Sequence, residues 1–279
     1  MATTPSSQFL KRRALRNGRE NTQEDAHRQV QQGQGTLETE YVSPSNVPPH
    51  NDLELLAVFY HFAMTLFYAL LLYYGNKLMS DNLHVLDPKG IMPSYGGRFK
   101  FLTHINQWFQ LCFFGVQFLT DLLANSIAKR ILQKVCDVFF TTVAAPTSFF
   151  VAVTFWSIYA YDRSLVYPER FDLFVPAYMN HFWHTTIAAW VLFETIICFH
   201  HYPSTGTAAC INFAVNAGYL SWIVWIFVKT GFWVYPILKV LPLPFLTLFC
   251  GGSMFFSLVL YLVGKLVADL RWGKTVYIE

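Results

Sequence analysis

Six apolar stretches, each about long enough to cross the ~30 Å hydrocarbon core of a bilayer as a helix, constrain this chain more than any other feature. They run Leu53–Tyr74, Phe101–Leu123, Val138–Tyr161, Tyr178–Phe199, Ala208–Val228 and Phe245–Gly264. Polar or helix-breaking segments separate them: Gly75-Asn76-Lys77, Ala128-Lys129-Arg130, Asp162-Arg163, His200-His201-Tyr202-Pro203 and Pro242-Leu243-Pro244. Tyr73, Tyr74, Tyr159, Tyr161, Trp233 and Tyr235 gather near the ends, where amphipathic rings sit at headgroup level. A membrane β-barrel would show short segments of alternating hydrophobicity instead, and none is present. The expected fold is all-α: a polytopic membrane protein, a bundle of six transmembrane helices. Pro146, inside the third stretch, is expected to kink it.

Charge is scarce and unevenly placed. Only 13% of residues are charged, against about 25% in ordinary globular domains. Twelve of the 37 charged side chains precede Leu53. Residues 1–52 contain no apolar run and are expected to form a disordered cytoplasmic tail. Residues 53–272 then make the membrane domain, and residues 273–279 a short cytoplasmic C-terminal tail. This distribution excludes a soluble single domain and a coiled coil. A net charge of +3, dispersed along the chain, excludes a nucleic-acid-binding face. No secretory signal pattern precedes the first span, so that span is expected to act as its own targeting signal. The basic run Lys11-Arg12-Arg13 with Arg16 is short enough to be a solvated arm. An even number of spans puts both termini on one side. The small Lys/Arg asymmetry leans toward the cytoplasm. Five cysteines without a CxxC spacing suggest buried free thiols, and Gly251, Gly252, Ser253 and Ser257 suggest close helix packing.

Strongly polar residues inside spans are expensive and therefore candidates for function. Here they are His61, His104, Asp121, His181, His184 and Glu194, with Thr103 beside His104. Alternation of span direction collects Thr103, His104, Asn106, Asn180, His181, His184, Asp162 and Arg163 in one leaflet. Asp121 and Glu194 fall toward the other, where Lys129, Arg130 and Lys134 are their expected partners. Thr103 and His184 suggest nucleophilic catalysis, because a neutral imidazole within hydrogen-bond reach activates a hydroxyl. Gly96-Gly97 just before Thr103 places it at a helix start, where unpaired N–H groups suit an oxyanion. Two other readings use the same residues. Thr and His serve as packing groups in membrane helices, and His181 with His184, supplemented by His104 and Asp162, has the spacing of a weak metal-ligand set.

The stretches Ser94-Tyr95-Gly96-Gly97, Lys100-Phe101-Leu102-Thr103, Leu119-Thr120-Asp121-Leu122, Phe155-Trp156 through Arg163, Asn180-His181 with His184-Thr185-Thr186, Tyr202-Pro203-Ser204 and Trp233-Val234-Tyr235-Pro236 are spaced along the chain. Together they resemble the family of androgen-induced and androgen-dependent TFPI-regulating proteins. The resemblance runs from about Leu53 to Trp272; the long N-terminal tail departs from it. It implies an integral-membrane threonine hydrolase that cleaves fatty acid esters of hydroxy fatty acids, with Thr103 as nucleophile, His184 as general base and no metal or other cofactor. A lipid ester substrate, the surrounding bilayer and no nucleic acid are then the expected partners. The expected location is the endoplasmic reticulum, other endomembranes or the plasma membrane. The residue orienting His184 stays open among Asp162, Asn180 and His181. Two alternatives stand beside this expectation: a His-ligated metal-dependent lipid hydrolase, and a non-catalytic membrane regulator.

Overall fold

The computed structural model describes residues 51–82 and 95–273. The first 50 residues of the expected tail, Ser94 of the first motif and residues 274–279 of the C-terminal tail lie outside the described residues. Every regular element among the described residues is helical. In chain order these are α1 (Asn51–Asp81), α2 (Leu102–Leu122), α3 (Ile127–Phe139), α4 (Ala145–Asp162), α5 (Ala177–His184), α6 (Thr186–Ile197), α7 (Thr205–Thr230), α8 (Pro236–Val240) and α9 (Leu243–Trp272).

Among the described residues, four helical segments are long and apolar enough to cross a membrane: Glu54–Asp81, Ile127–Leu165, Thr205–Thr230 and Leu243–Trp272. The second and fourth expected spans fall short of that description for physical reasons. Helix α2 has the length, but Asn106, Gln107, Gln110, Gln117 and Thr120 on it are buried polar residues. The fourth stretch breaks at Thr185 (φ −107°, ψ −53°) into α5 and the 12-residue α6. There the Thr185 hydroxyl accepts from Trp156 Nε1 at 3.0 Å and lies 3.0 Å from His181 Nδ1.

Local chemistry sets the boundaries. Gly75 does not end α1, which runs six residues further to Asp81. The Trp183 indole packs against Gly75, so that a Cβ there would sit 3.4 Å from its nitrogen. Around Pro146 the third stretch adopts a π turn, Phe140–Ala144, instead of breaking. A proline removes an N–H and frees the carbonyl four residues back. That carbonyl, on Thr142, accepts from Asn212 Nδ2 at 3.4 Å. Ser126 and Ser204 cap α3 and α7 by accepting from Lys129 and Thr207 N–H, as N-cap hydroxyls do. Gly231 closes α7 in the left-handed region at φ 73°, where glycine carries no Cβ penalty.

The core lies between α1, α2, the π turn and α4–α6. Tyr68, Phe113, Phe114, Phe140, Ile187 and Val191 are almost wholly enclosed there, with Tyr68 stacked on Phe114. A smaller cluster of Tyr202, Ala208, Tyr261, Ala268 and Trp272 joins α7 to α9. Outward-facing positions remain apolar, among them Leu55, Phe59, Phe62 and Leu66 on α1 and Leu248, Phe255 and Leu262 on α9. An apolar exterior of this extent suits lipid rather than water. Gly251 and Gly252 face outward with nothing within 4 Å of a Cβ, so they do not pack helices here. Of the cysteines only Cys136 is buried, and Cys112 and Cys210 are exposed.

Candidate active site

Two glycines start the site. Gly96 (φ 79°) and Gly97 (φ 52°) lie in the left-handed region and turn the chain into a 3-10 turn, Gly97–Lys100, that leads directly to α2. The N-cap of α2 is Phe101, which has no side-chain cap to offer. Its place is taken from far along the chain. Leu102 N–H donates to the hydroxyls of both Tyr219 (3.1 Å) and Tyr235 (3.0 Å). The two phenols lie 2.9 Å apart, and Tyr219 donates onward to the Lys100 carbonyl at 3.0 Å. Thr103 is the next residue, the second of α2, where helix geometry gives its N–H no intrahelical acceptor.

Thr103 Oγ1 lies 3.3 Å from His184 Nε2. The other nitrogen of His184, Nδ1, is 2.8 Å from Asn180 Oδ1 and 3.1 Å from the Asn180 carbonyl. A backbone carbonyl only accepts, so Nδ1 carries the proton and Nε2 turns its lone pair to the threonine hydroxyl. The imidazole is buried and lies flat on Phe155, with ring centroids 3.5 Å apart and planes 6° from parallel. Tyr167 meets the edge of the same Phe155. Burial, reinforced by Asp172, pushes the Tyr167 phenol up to about 12, so it places no charge beside the histidine. An apolar cavity of about 110 Å³ opens at Thr103. Thr103, Phe155, Ile223, Leu238, Phe249 and Met254 are among the residues that line it.

The other residues expected in this leaflet go elsewhere. Asn180, not Asp162 or His181, holds His184. Asp162 is exposed and caps Ser164 N–H, and Arg163 pairs with Asp172. His181 is exposed, stacked on Trp156. His104 accepts from Trp108 Nε1. Asn106 joins Gln110 and Ser148 in a buried network anchored on the Ala144 carbonyl. His181 turns Nδ1 to the Thr185 hydroxyl and its ring face to Trp156, while His184 turns Nε2 to Thr103, and among the described residues the two do not fall in a cluster of metal-ligating side chains. Nor do Asp121 and Glu194 take the expected Lys or Arg partners. Asp121 bonds His61 Nδ1, and Glu194 lies between His61 and His200.

Comparison with known proteins places this geometry in context. The profile of the FAR-17a/AIG1-like proteins matches residues 56–269. The chain belongs to that family. An androgen-dependent TFPI-regulating protein of Rattus norvegicus is 39% identical over 220 residues, covering 78% of this chain and 94% of the relative. The androgen-induced gene 1 protein of Homo sapiens is 38% identical over 203 residues, covering 67% and 84%. A Schizosaccharomyces pombe relative named as a membrane protein is 24% identical over 178 residues. No solved structure matches the chain. The chain is thus a membrane protein of the FAR-17a/AIG1-like family. All of its site elements, from Gly96 to Tyr235, fall inside the matched segment.

Proposed function

We propose that this family member is an integral-membrane threonine hydrolase that cleaves fatty acid esters of hydroxy fatty acids into a fatty acid and a hydroxy fatty acid. The observation that carries the reading is the Thr103–His184–Asn180 chain, whose threonine lines an apolar cavity. An imidazole whose tautomer is fixed on one nitrogen and whose free lone pair faces a hydroxyl is the arrangement that activates a nucleophile. The cavity offers the surroundings an acyl chain needs, and the substrate class follows from the family resemblance.

In the first step Thr103 Oγ1 attacks the ester carbonyl carbon while its proton passes to His184 Nε2. The resulting oxyanion faces the Thr103 N–H and the positive end of α2. The carbon–oxygen bond to the hydroxy fatty acid then breaks, and its alkoxide oxygen takes the proton from His184. In the second step His184 draws a proton from water, which attacks the acyl-threonine. The fatty acid leaves and Thr103 recovers its proton. The imidazolium formed in each step is held by Asn180 and lies against the Phe155 face.

Within this reading α2 and α5–α6 also cross the bilayer, giving six spans with both termini cytoplasmic, in an endomembrane or the plasma membrane. The test uses the purified full chain with a panel of fatty acid esters of hydroxy fatty acids. Thr103→Ala and His184→Ala should each abolish hydrolysis while eluting as the same detergent-solubilised species. A fluorophosphonate probe should label Thr103 in the wild type. Hydrolysis retained in either variant overturns the assignment. Failure of the wild type both to hydrolyse and to be labelled favours a non-catalytic regulator.

A further inference from the structure

At the opposite end of α2 a second polar cluster takes no part in the proposed chemistry. The 18 residues from Thr103 to Asp121 put it about 27 Å away at 1.5 Å per residue. Helix α1 supplies His61, α2 Asp121, α3 Asp137 and α6 Glu194, and the segment after α6 supplies Cys198, His200 and His201. His61, Asp137, Glu194 and His200 are each at most 3% exposed. The imidazoles are organised alike. His61 Nδ1 bonds Asp121 at 2.5 Å, His200 Nδ1 bonds Asp137 at 2.9 Å and His201 Nδ1 bonds the other Asp137 oxygen at 3.0 Å.

A carboxylate at Nδ1 holds the proton there and turns the Nε2 lone pair outward. For His61 that lone pair points at Glu194, with both carboxylate oxygens 3.2 Å from Nε2. Lone pair against carboxylate is repulsive unless something positive lies between them. A proton would satisfy the nitrogen and the carboxylate alone. Here a third donor converges: Cys198 Sγ is 3.5 Å from the same Nε2, and the ligand atoms of His61, Glu194 and Cys198 all lie within 4.8 Å of one another.

We propose that His61 Nε2, the Glu194 carboxylate and the Cys198 thiolate bind a zinc ion. Zinc–ligand distances of about 2.0–2.1 Å to N and O and about 2.3 Å to S give tetrahedral edges of roughly 3.3 Å for N···O and 3.6 Å for N···S. The observed separations of 3.2 and 3.5 Å match them. Nitrogen, carboxylate and thiolate together favour zinc over the hard cations, which take oxygen. Binding displaces the thiol proton and any proton on Nε2 to water. The charge of the ion then balances one carboxylate and one thiolate, leaving a neutral centre suited to a low-dielectric interior. Asp121 orients His61 from behind, and His200, 2.9 Å from Glu194 Oε1 and backed by Asp137, orients the carboxylate. The ion staples α1 to the end of α6, and the fourth position is left to water.

The experiment is metal analysis of the full chain carrying a histidine-free affinity tag, exposed to zinc in detergent and then desalted. About one zinc per chain is expected in the wild type and in the Cys210→Ser control, and at least tenfold less in Cys198→Ser. Asp121→Asn should weaken zinc affinity about 10–100-fold. Wild type retaining no more zinc than Cys198→Ser overturns the proposal. If Cys198→Ser does not fold, cobalt(II) loaded into the wild type decides the question. A thiolate-to-cobalt charge-transfer band supports the site, and its absence overturns it. None of these readouts depends on ester hydrolysis.

Discussion

Replacing Asn180 by alanine separates two ways in which His184 can be held. In the wild type His184 Nδ1 has two acceptors, the Asn180 side-chain oxygen at 2.8 Å and the Asn180 backbone carbonyl at 3.1 Å. Asn180→Ala removes the first and keeps the second. The Nδ1 proton therefore stays where it is and Nε2 remains the base, unlike the loss of a triad aspartate, which permits the wrong tautomer and costs about 10⁴ in rate. In the proposed mechanism, what is lost is one hydrogen bond to a ring that becomes cationic in the transition state. A neutral hydrogen bond contributes about 0.5–1.5 kcal/mol and one to a charged group about 1.5–3. The difference between the two, about 1–2.5 kcal/mol, corresponds at about 1.4 kcal/mol per tenfold to a kcat reduction of roughly 5- to 60-fold, with KM little changed. The same factor should appear in the rate of fluorophosphonate labelling of Thr103, which needs no substrate. A loss as complete as that of His184→Ala, in protein with unchanged elution and melting temperature, would refute the claim that the carbonyl keeps the tautomer. An unchanged labelling rate would refute the role of the side chain.

The phenol pair at the start of α2 should matter for stability as well as rate. Tyr219→Phe or Tyr235→Phe alone leaves Leu102 N–H one acceptor, whereas the double variant strands it at a cost of about 1–3 kcal/mol, so a detergent melting curve should drop more for the double variant than for the two singles summed. Gly96→Ala should destabilise the chain by about 1–2 kcal/mol, because φ is 79° and a Cβ would meet Ile226 and Trp222 at 3.2 Å. Ser253→Phe projects a ring into the cavity beyond Thr103, so hydrolysis of long-chain esters should fall several-fold more than that of short-chain esters; an equal loss for both would argue that acyl chains lie elsewhere. Gln110→Leu should be destabilising, by about 1–3 kcal/mol, because Ser148 and the Ala144 carbonyl lose their shared donor.

The placement of Thr103 with His184 was legible because alternating spans sort polar residues into two ends, and a residue's position along its helix gives its depth. The same arithmetic puts His61, Asp121, Asp137, Glu194, His200 and His201 together at the far end, where Lys129, Arg130 and Lys134 are the partners that charge alone suggests. Those long side chains reach back to water instead: Lys129 Nζ bonds the Leu123 carbonyl, exposed at the end of α2. Buried carboxylates are left to imidazoles, which fit within the bundle without a flexible stem to withdraw. Which residue holds His184 was beyond the sequence for a different reason. Asn180 and His181 lie one and nearly one helical turn before it, so spacing favours neither; the outward stacking of His181 on Trp156 decides the matter, and that is a tertiary contact. Helix α2 shows how buried amides keep a 21-residue helix from reading as an apolar span. Two of its buried amides donate to partners on the π turn, α3 and α4: Gln110 to Ala144 and Ser148, Gln117 to Gln133. Each partner lowers the cost of a polar group in an apolar medium. Helix α2, whose polar side chains turn inward, therefore carries the catalytic candidate at one end and gives Asp121 to the histidine–carboxylate cluster at the other.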